Sequence, residues 1–267
     1  MSLSKAPAHP EPVEGLSLRV ALAALRLLCT VSRVLEGALI CAFIFPFLKP
    51  ATRLQWVGRW CARTLRSLGI VLHAAGTPRS GATLLVANHI SWLDILAINA
   101  VQPARFVSKT DVHGWPLIGW LVACGGTLFI ERERKRDALR VVHQVAQALT
   151  AGDTVAMFPE GTTSEGHMVL PFHANLLQAA IATETPVQPV ALRFCDASHP
   201  VSPAAAYVGD TSLAQSLWWV VMARGLQAHV AWLPPQETRQ LERRALAEKL
   251  RSQIGQALSV TEWRSAA

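Results

Sequence analysis

Several signatures of common function classes are missing from this 267-residue chain. Its five cysteines, Cys29, Cys41, Cys61, Cys124 and Cys195, are scattered, with no CxxC and no paired Cys/His spacing. That pattern supports neither a disulfide framework nor a zinc site, and reads as reduced core thiols in a cytoplasmic setting. No HExxH or comparable metal spacing occurs, so no metal is expected, and His113, His143, His167 and His173 read as non-ligands. A nucleophile elbow, G-x-S-x-G, is absent too. In Gly161-Thr162-Thr163-Ser164-Glu165-Gly166 the first glycine stands one place too early, which weighs against a serine hydrolase. There is no internal repeat. A clean membrane-spanning run is also missing: Arg19, Arg26, Arg33 and Glu36 interrupt residues 16–50. The uncharged part, Gly37 to Leu48, falls short of the roughly 20 apolar residues a spanning helix needs.

What is present is apolar and basic. Hydrophobic residues make up 51% of the chain, the mean hydropathy is +0.28, and the formal charge is +7 with a pI near 9.6. High hydropathy suggests membrane contact, and a basic balance favours anionic partners: lipid headgroups, nucleic acid or acidic carriers. The basic residues lack the interleaved aromatics of a strand-binding groove, so no nucleic-acid partner is expected. The length allows one sizeable core with an appended segment.

Residues 1–15 hold Pro, Glu, Ser and Ala without apolar periodicity and read as a disordered tail, too acidic and without a clear cleavage site for a signal peptide. Residues 16–68 read as membrane-interfacial helices. The stretch 16–50 suits an interfacial or re-entrant hairpin, although snorkelling arginines leave one span open. In Thr52 to Leu68, Arg59, Arg63 and Arg66 share one helical face, with Trp56 and Trp60 on a neighbouring face. That pattern suits a helix lying on an anionic leaflet, or else the solvated face of a soluble helix.

From residue 69 to 267 the pattern alternates. Strands are expected at Ile70–Ala74, Ala82–Val86, Arg105–Lys109, Thr127–Ile130, Val155–Phe158, Val187–Phe194 and His229–Leu233. Pro189 implies an edge or a bulge in the sixth of these. Helices are expected at Pro116–Ala123, Asp137–Ala151, His173–Thr183, Thr211–Arg224 and Glu237–Leu258, with Leu139, Val142, Ala146 and Leu149 as the buried stripe of the second. Asp196 to Asp210 reads as loop. This alternation predicts an α/β domain, a mostly parallel mixed sheet flanked by helices.

The chemistry concentrates in Ala87-Asn88-His89-Ile90-Ser91-Trp92-Leu93-Asp94, between an apolar strand and an apolar helix start. Such turns lie at the carboxyl ends of strands, where open α/β sheets present their sites. Histidine is the usual general base near neutral pH, and a nearby carboxylate fixes its tautomer. On a straight helix, residues five apart point about 140° apart. His89 must therefore sit in the turn for Asp94 to reach back to it. The alternative is structural: Ser91 as N-cap with Asp94 three residues on, a capping box. A second strand runs into Pro159-Glu160-Gly161-Thr162-Thr163-Ser164, a loop suited to hold an anion on backbone N–H groups, or an ordinary turn.

Together these segments resemble the glycerolipid acyltransferase family, typified by lysophosphatidic acid acyltransferase. The Asn-His-x4-Asp block is matched by Asn88, His89 and Asp94. The second block is matched by Gly126-Thr127-Leu128-Phe129-Ile130-Glu131-Arg132, the third by Phe158-Pro159-Glu160-Gly161-Thr162, and the fourth by Val187-Gln188-Pro189-Val190. All four occur in order across about residues 70 to 195. One position departs from the pattern. Many members that acylate lysophosphatidic acid carry arginine after the Gly-Thr of the third block, where this chain has Thr163.

The resemblance implies direct acyl transfer from an acyl thioester, acyl-CoA or acyl carrier protein, to the free hydroxyl of a lysolipid, with no resident cofactor. The expected acceptor is 1-acyl-sn-glycerol-3-phosphate, with another lysolipid such as lyso-ornithine lipid as the alternative. His89 would be the base and Asp94 its orienting partner. Arg132, Glu160, Gly161, Thr162, Thr163 and Lys109 would form the acceptor site, with Arg132 gripping phosphate or carboxylate and Glu160 holding acceptor hydroxyls or ordering its loop. The location implied is the cytoplasmic face of the inner membrane. A non-catalytic basic membrane-binding protein is the rival of another class.

Overall fold

The computed structural model describes residues 13–109, 114, 117–130 and 135–259. Helix α1 (Val13–Leu39) begins inside the stretch expected as a tail. It continues through a π-helical turn, Ile40–Ile44, and a 3-10 turn, Phe45–Phe47. The run Ser17–Phe47 is long and apolar enough to cross a membrane by length and composition alone. Helix α2 (Pro50–Ser67) opens on a proline, whose fixed φ suits a first helical turn.

These two helices, rather than residues 16–50 alone, form the hairpin. They run antiparallel: Trp60 Nε1 donates to the Arg33 carbonyl at 2.8 Å, and the hydroxyls of Thr30 and Ser67 meet at 3.4 Å. The seam on α1 is a narrow stripe of Ala23, Thr30 and Gly37. At Gly37 a Cβ would stand 2.9 Å from the Trp60 indole nitrogen, so only glycine lets the ring sit there.

The strands are β1 (Val71–Ala75), β2 (Thr83–Ala87), β3 (Arg105–Lys109), β4 (Leu128–Ile130), β5 (Thr154–Met157), β6 (Val187–Cys195) and β7 (Gln227–Trp232). They form one seven-stranded sheet in the order β1-β7-β6-β2-β5-β3-β4. The β6–β7 pair is antiparallel and the other neighbours are parallel. The mostly parallel mixed sheet is as the alternating sequence predicts. Every residue of β2 is buried, as its continuous apolar run requires in a sheet covered on both faces.

Helices α3 (Leu93–Val101) and α7 (Leu213–Met222) cover one face together with α2. The other face lies under α5 (Lys135–Thr150), α6 (Leu177–Ala182) and α8 (Arg243–Ser259). The short α4 (Ile118–Cys124) leads into β4.

One sequence expectation shifts, and of the two alternatives for Pro189 the bulge is the one found. Leu139 of α5 is 73% exposed, and the buried stripe is Val141, Val145, Ala148 and Leu149. A 3.6-residue period accommodates either stripe, and Val142 and Ala146 still pack half-buried against the same cluster. Pro189 lies in an interior strand, between β2 and β7. Its lost N–H is absorbed where the ladder is already irregular. From Val190↔Trp232 to Val187↔Gln236, three steps along β6 match four along the partner chain, which is a bulge.

Candidate active site

His89 follows β2 at its carboxyl end, and the loop from Phe158 follows the adjacent parallel β5. Both therefore open on the same edge of the sheet. Asn88 pins this edge from the third side. Its amide donates to the Leu192 carbonyl at 3.0 Å, and the Leu192 N–H donates back at 2.8 Å, so the end of β2 is locked to β6 inside the protein.

Asp94 sits in the first turn of α3 with no solvent exposure. Its Oδ2 lies 2.7 Å from His89 Nδ1 and accepts the N–H groups of Ile90 at 2.7 Å and Ser91 at 2.9 Å. One carboxylate oxygen thus both bends the turn and faces the imidazole. The capping expectation is half right. Asp94 takes the Ser91 N–H, but the Ser91 hydroxyl is buried with no partner among the described residues, as is Asp94 Oδ1.

The imidazole of His89 stacks on Phe158, with centroids 3.9 Å apart and planes at 5°. The ring is fixed by Asp94 at one nitrogen and Phe158 beneath. Its Nε2 makes no hydrogen bond among the described residues. With Nδ1–H donated to the carboxylate, the lone pair falls on Nε2, and that nitrogen can accept a proton from a bound hydroxyl.

The backbone of His89 is clamped by the Pro159–Ser164 loop. Its N–H donates to Glu160 Oε1 at 3.0 Å, and its carbonyl accepts from the N–H of Ser164 at 2.8 Å. Glu160 is buried, and its Oε2 accepts the Leu170 N–H at 3.2 Å. Burial, partly offset by these two N–H bonds, pushes its carboxyl up to about 7. Of the two roles the sequence allowed Glu160, these contacts are those of a loop organiser.

Gly161 adopts φ +73°, the left-handed turn its residue type permits. Loop N–H groups are partly spent, Gly161's on the Phe158 carbonyl and Ser164's on His89. Those of Thr162 and Thr163 have no partner among the described residues. The Thr163 hydroxyl donates to the Tyr207 carbonyl, and Tyr207 N–H donates to the Ile90 carbonyl at 3.1 Å. The long loop after β6 therefore closes over the same turn.

Lys109 ends β3, while Arg132 and His113 lie outside the described residues. His143 pairs with Gln147 on the surface, and His167 and His173 are exposed. Phe158 and Ser164 stand in the motif stretches, but the sequence assigns neither of them a role in the site. Tyr207 carried no local signal.

Comparisons with known proteins give the family and the fold. A family model described as Acyltransferase matches residues 70–193. The lyso-ornithine lipid O-acyltransferase of Pseudomonas aeruginosa is 34% identical over 199 residues, covering 74% of this chain and 76% of that protein. The 1-acyl-sn-glycerol-3-phosphate acyltransferase of Neisseria meningitidis is 34% identical over 188 residues, covering 70% and 73%. In fold, the chain is similar to the crystal structure of the 1-acyl-sn-glycerophosphate acyltransferase of Thermotoga maritima, with a TM-score of 0.71 at 17% identity over 94% of this chain and 99% of the other. The chain belongs to the glycerolipid acyltransferase family and is an acyltransferase.

Proposed function

We propose that the enzyme transfers an acyl chain from an acyl thioester, on coenzyme A or acyl carrier protein, to the free hydroxyl of a lysolipid. The observation that carries this reading is the 2.7 Å contact of His89 Nδ1 with buried Asp94, which leaves Nε2 to face substrate. Nε2 takes the hydroxyl proton as the oxygen attacks the thioester carbonyl. The tetrahedral intermediate collapses with loss of the thiolate, which takes the proton back from the imidazolium. Asp94 balances the imidazolium charge. The N–H groups of Thr162 and Thr163 are available as anion donors. Arg132 and Lys109 complete the acceptor site as headgroup cations, and Glu160 acts by ordering the His89 turn.

The acceptor favoured first is 1-acyl-sn-glycerol-3-phosphate. Lyso-ornithine lipid is the second reading, favoured by a specific observation. Where phosphate-acceptor members carry arginine, Thr163 spends its hydroxyl on the Tyr207 carbonyl. The test offers both lysolipids in parallel to detergent-solubilised enzyme with a labelled acyl thioester. Transfer to the phosphate acceptor establishes the first reading. Transfer only to the ornithine lipid establishes the second, and no transfer to either with both donor types overturns both.

The enzyme works at a membrane, on the anionic cytoplasmic face. Helix α1 turns Leu18, Leu22, Leu25, Leu28, Leu35 and Leu39 outward, while Arg59, Arg63 and Arg66 stay exposed on α2. A crossing α1 would drag α2 with it. An arginine at the bilayer centre costs about 2.5–3.5 kcal/mol on insertion scales. The pair instead lies in one leaflet, with apolar side chains down and guanidinium groups at the headgroups.

A further inference from the structure

Helix α7 has an exposed face that the acyl-transfer chemistry does not use. Its ten residues, Leu213–Met222, contain no charge. Ser216, Val220 and Val221 pack inward, yet Trp218 and Trp219 stay 44% and 39% exposed on the opposite side. Two adjacent indoles left in water on an uncharged helix are costly, because each ring carries roughly 150–250 Å² of surface.

Their surroundings say what covers them. The Arg26 guanidinium of α1 donates to the carbonyls of Val221 and Ala223 at 2.8 and 3.0 Å, which docks the end of α7 against α1. Leu22 and Leu25, beside Arg26, belong to the exposed apolar face of α1. The apolar surface of the hairpin is therefore continued by α7. Arg224, two residues beyond α7, is exposed, and the chain carries a net +7. An uncharged aromatic strip with an exposed arginine at one end, on a basic chain, fits an anionic lipid surface, where indoles settle at headgroup depth. A second copy of this chain would bring like charges together instead.

Helix α7 is also wired to the candidate catalytic turn. Trp92 Nε1 donates to Ser216 Oγ at 3.1 Å, two residues before Asp94. We propose that α7 is a second membrane-seating element, in which Trp218 and Trp219 enter the headgroup–acyl boundary of an anionic bilayer beside α1 and hold the His89 turn at the lipid surface. This rests on the membrane reading of α1, but it adds a contact from α7, far along the chain from the hairpin seam.

The test uses the full chain bound to vesicles of phosphatidylethanolamine and phosphatidylglycerol with bromine on the acyl chains. Tryptophan emission of the wild type is compared with that of Trp218→Phe/Trp219→Phe, so the difference reports these two rings alone. Flotation with the vesicles reports the whole protein, and neither readout needs turnover. The expected result is flotation, with a difference emission quenched by lipid bromine and shielded from aqueous iodide. Flotation with a difference emission quenched by iodide alone overturns the role of α7 and leaves that of α1 standing. Shielding from both quenchers that depends on protein concentration also overturns it, in favour of a second copy. Failure to float overturns both membrane contacts while leaving the acyl-transfer reading untouched. The two single Phe variants repeat the measurement if the double variant is unstable.

Discussion

At Asp94, one carboxylate oxygen faces three donors, and only one of them belongs to the base. The backbone N–H groups of Ile90 and Ser91 can also bind an amide oxygen, though less strongly than a carboxylate. Asp94→Asn is therefore expected to fold and keep the turn, yet to lose the charge that stabilises the imidazolium. Its kcat/KM falls on the order of 10²-fold, the low end of general-base contributions. Normal kinetics with only a lowered melting temperature would favour the purely structural role.

Glu160 gives a second residue-level expectation, in pH. Its carboxyl ionises near 4.5 in the unfolded chain, and burial raises that to about 7 in the fold. Between those values the folded state binds the extra proton, so stability falls as pH rises from 4.5 to 7 and is level above. The total is about 3 kcal/mol at 1.36 kcal/mol per unit. His229, held neutral down to about 4 by burial and by His73 and Arg193, has the opposite effect, losing stability as pH falls from 6.5. The difference between wild type and Glu160→Gln in urea unfolding isolates the carboxyl. That difference should change across pH 4.5 to 7, and a constant difference would contradict the buried-acid account.

Among the elements, the close approach of α2 to α3 depends on Gly58. A Cβ there would meet the Pro103 ring at 2.6 Å and the Asn99 carbonyl at 2.9 Å. The latter is backbone and cannot swing aside. Gly58→Ala is expected to cost roughly 1–3 kcal/mol by overpacking, despite the better helix propensity of alanine, and a thermal melt would show it. An unchanged or raised melting temperature would mean the helices can separate freely.

The central strand β2 was legible because burial on both faces leaves an apolar run, Leu84–Ala87. The His89 turn was legible because a polar block interrupts two apolar elements. On α5 the buried stripe is turned by about one residue from the expected one, with Leu149 common to both. What no local pattern carries is a contact made by tertiary closure. The Asn88 clasp on Leu192 spans 104 positions, and Tyr207 reaches the turn only through the fold of a long loop. The hairpin was placed one arm too early because Arg26 and Arg33 look like interruptions. In the fold Arg26 caps α7 carbonyls and Arg33 pairs with Glu36, so neither breaks the helix.

For the molecule as a whole, an α/β sheet presents at one edge a histidine backed by a buried carboxylate. All of this converges on one proton transfer. The most direct measurement is the single-turnover rate of acyl transfer from a labelled thioester to a lysolipid in detergent, for the wild type and for His89→Ala at matched folding by circular dichroism. The account predicts a loss of 10²–10⁴-fold with the melting transition preserved. A variant that keeps most of the wild-type rate would contradict the assignment of His89 as the base.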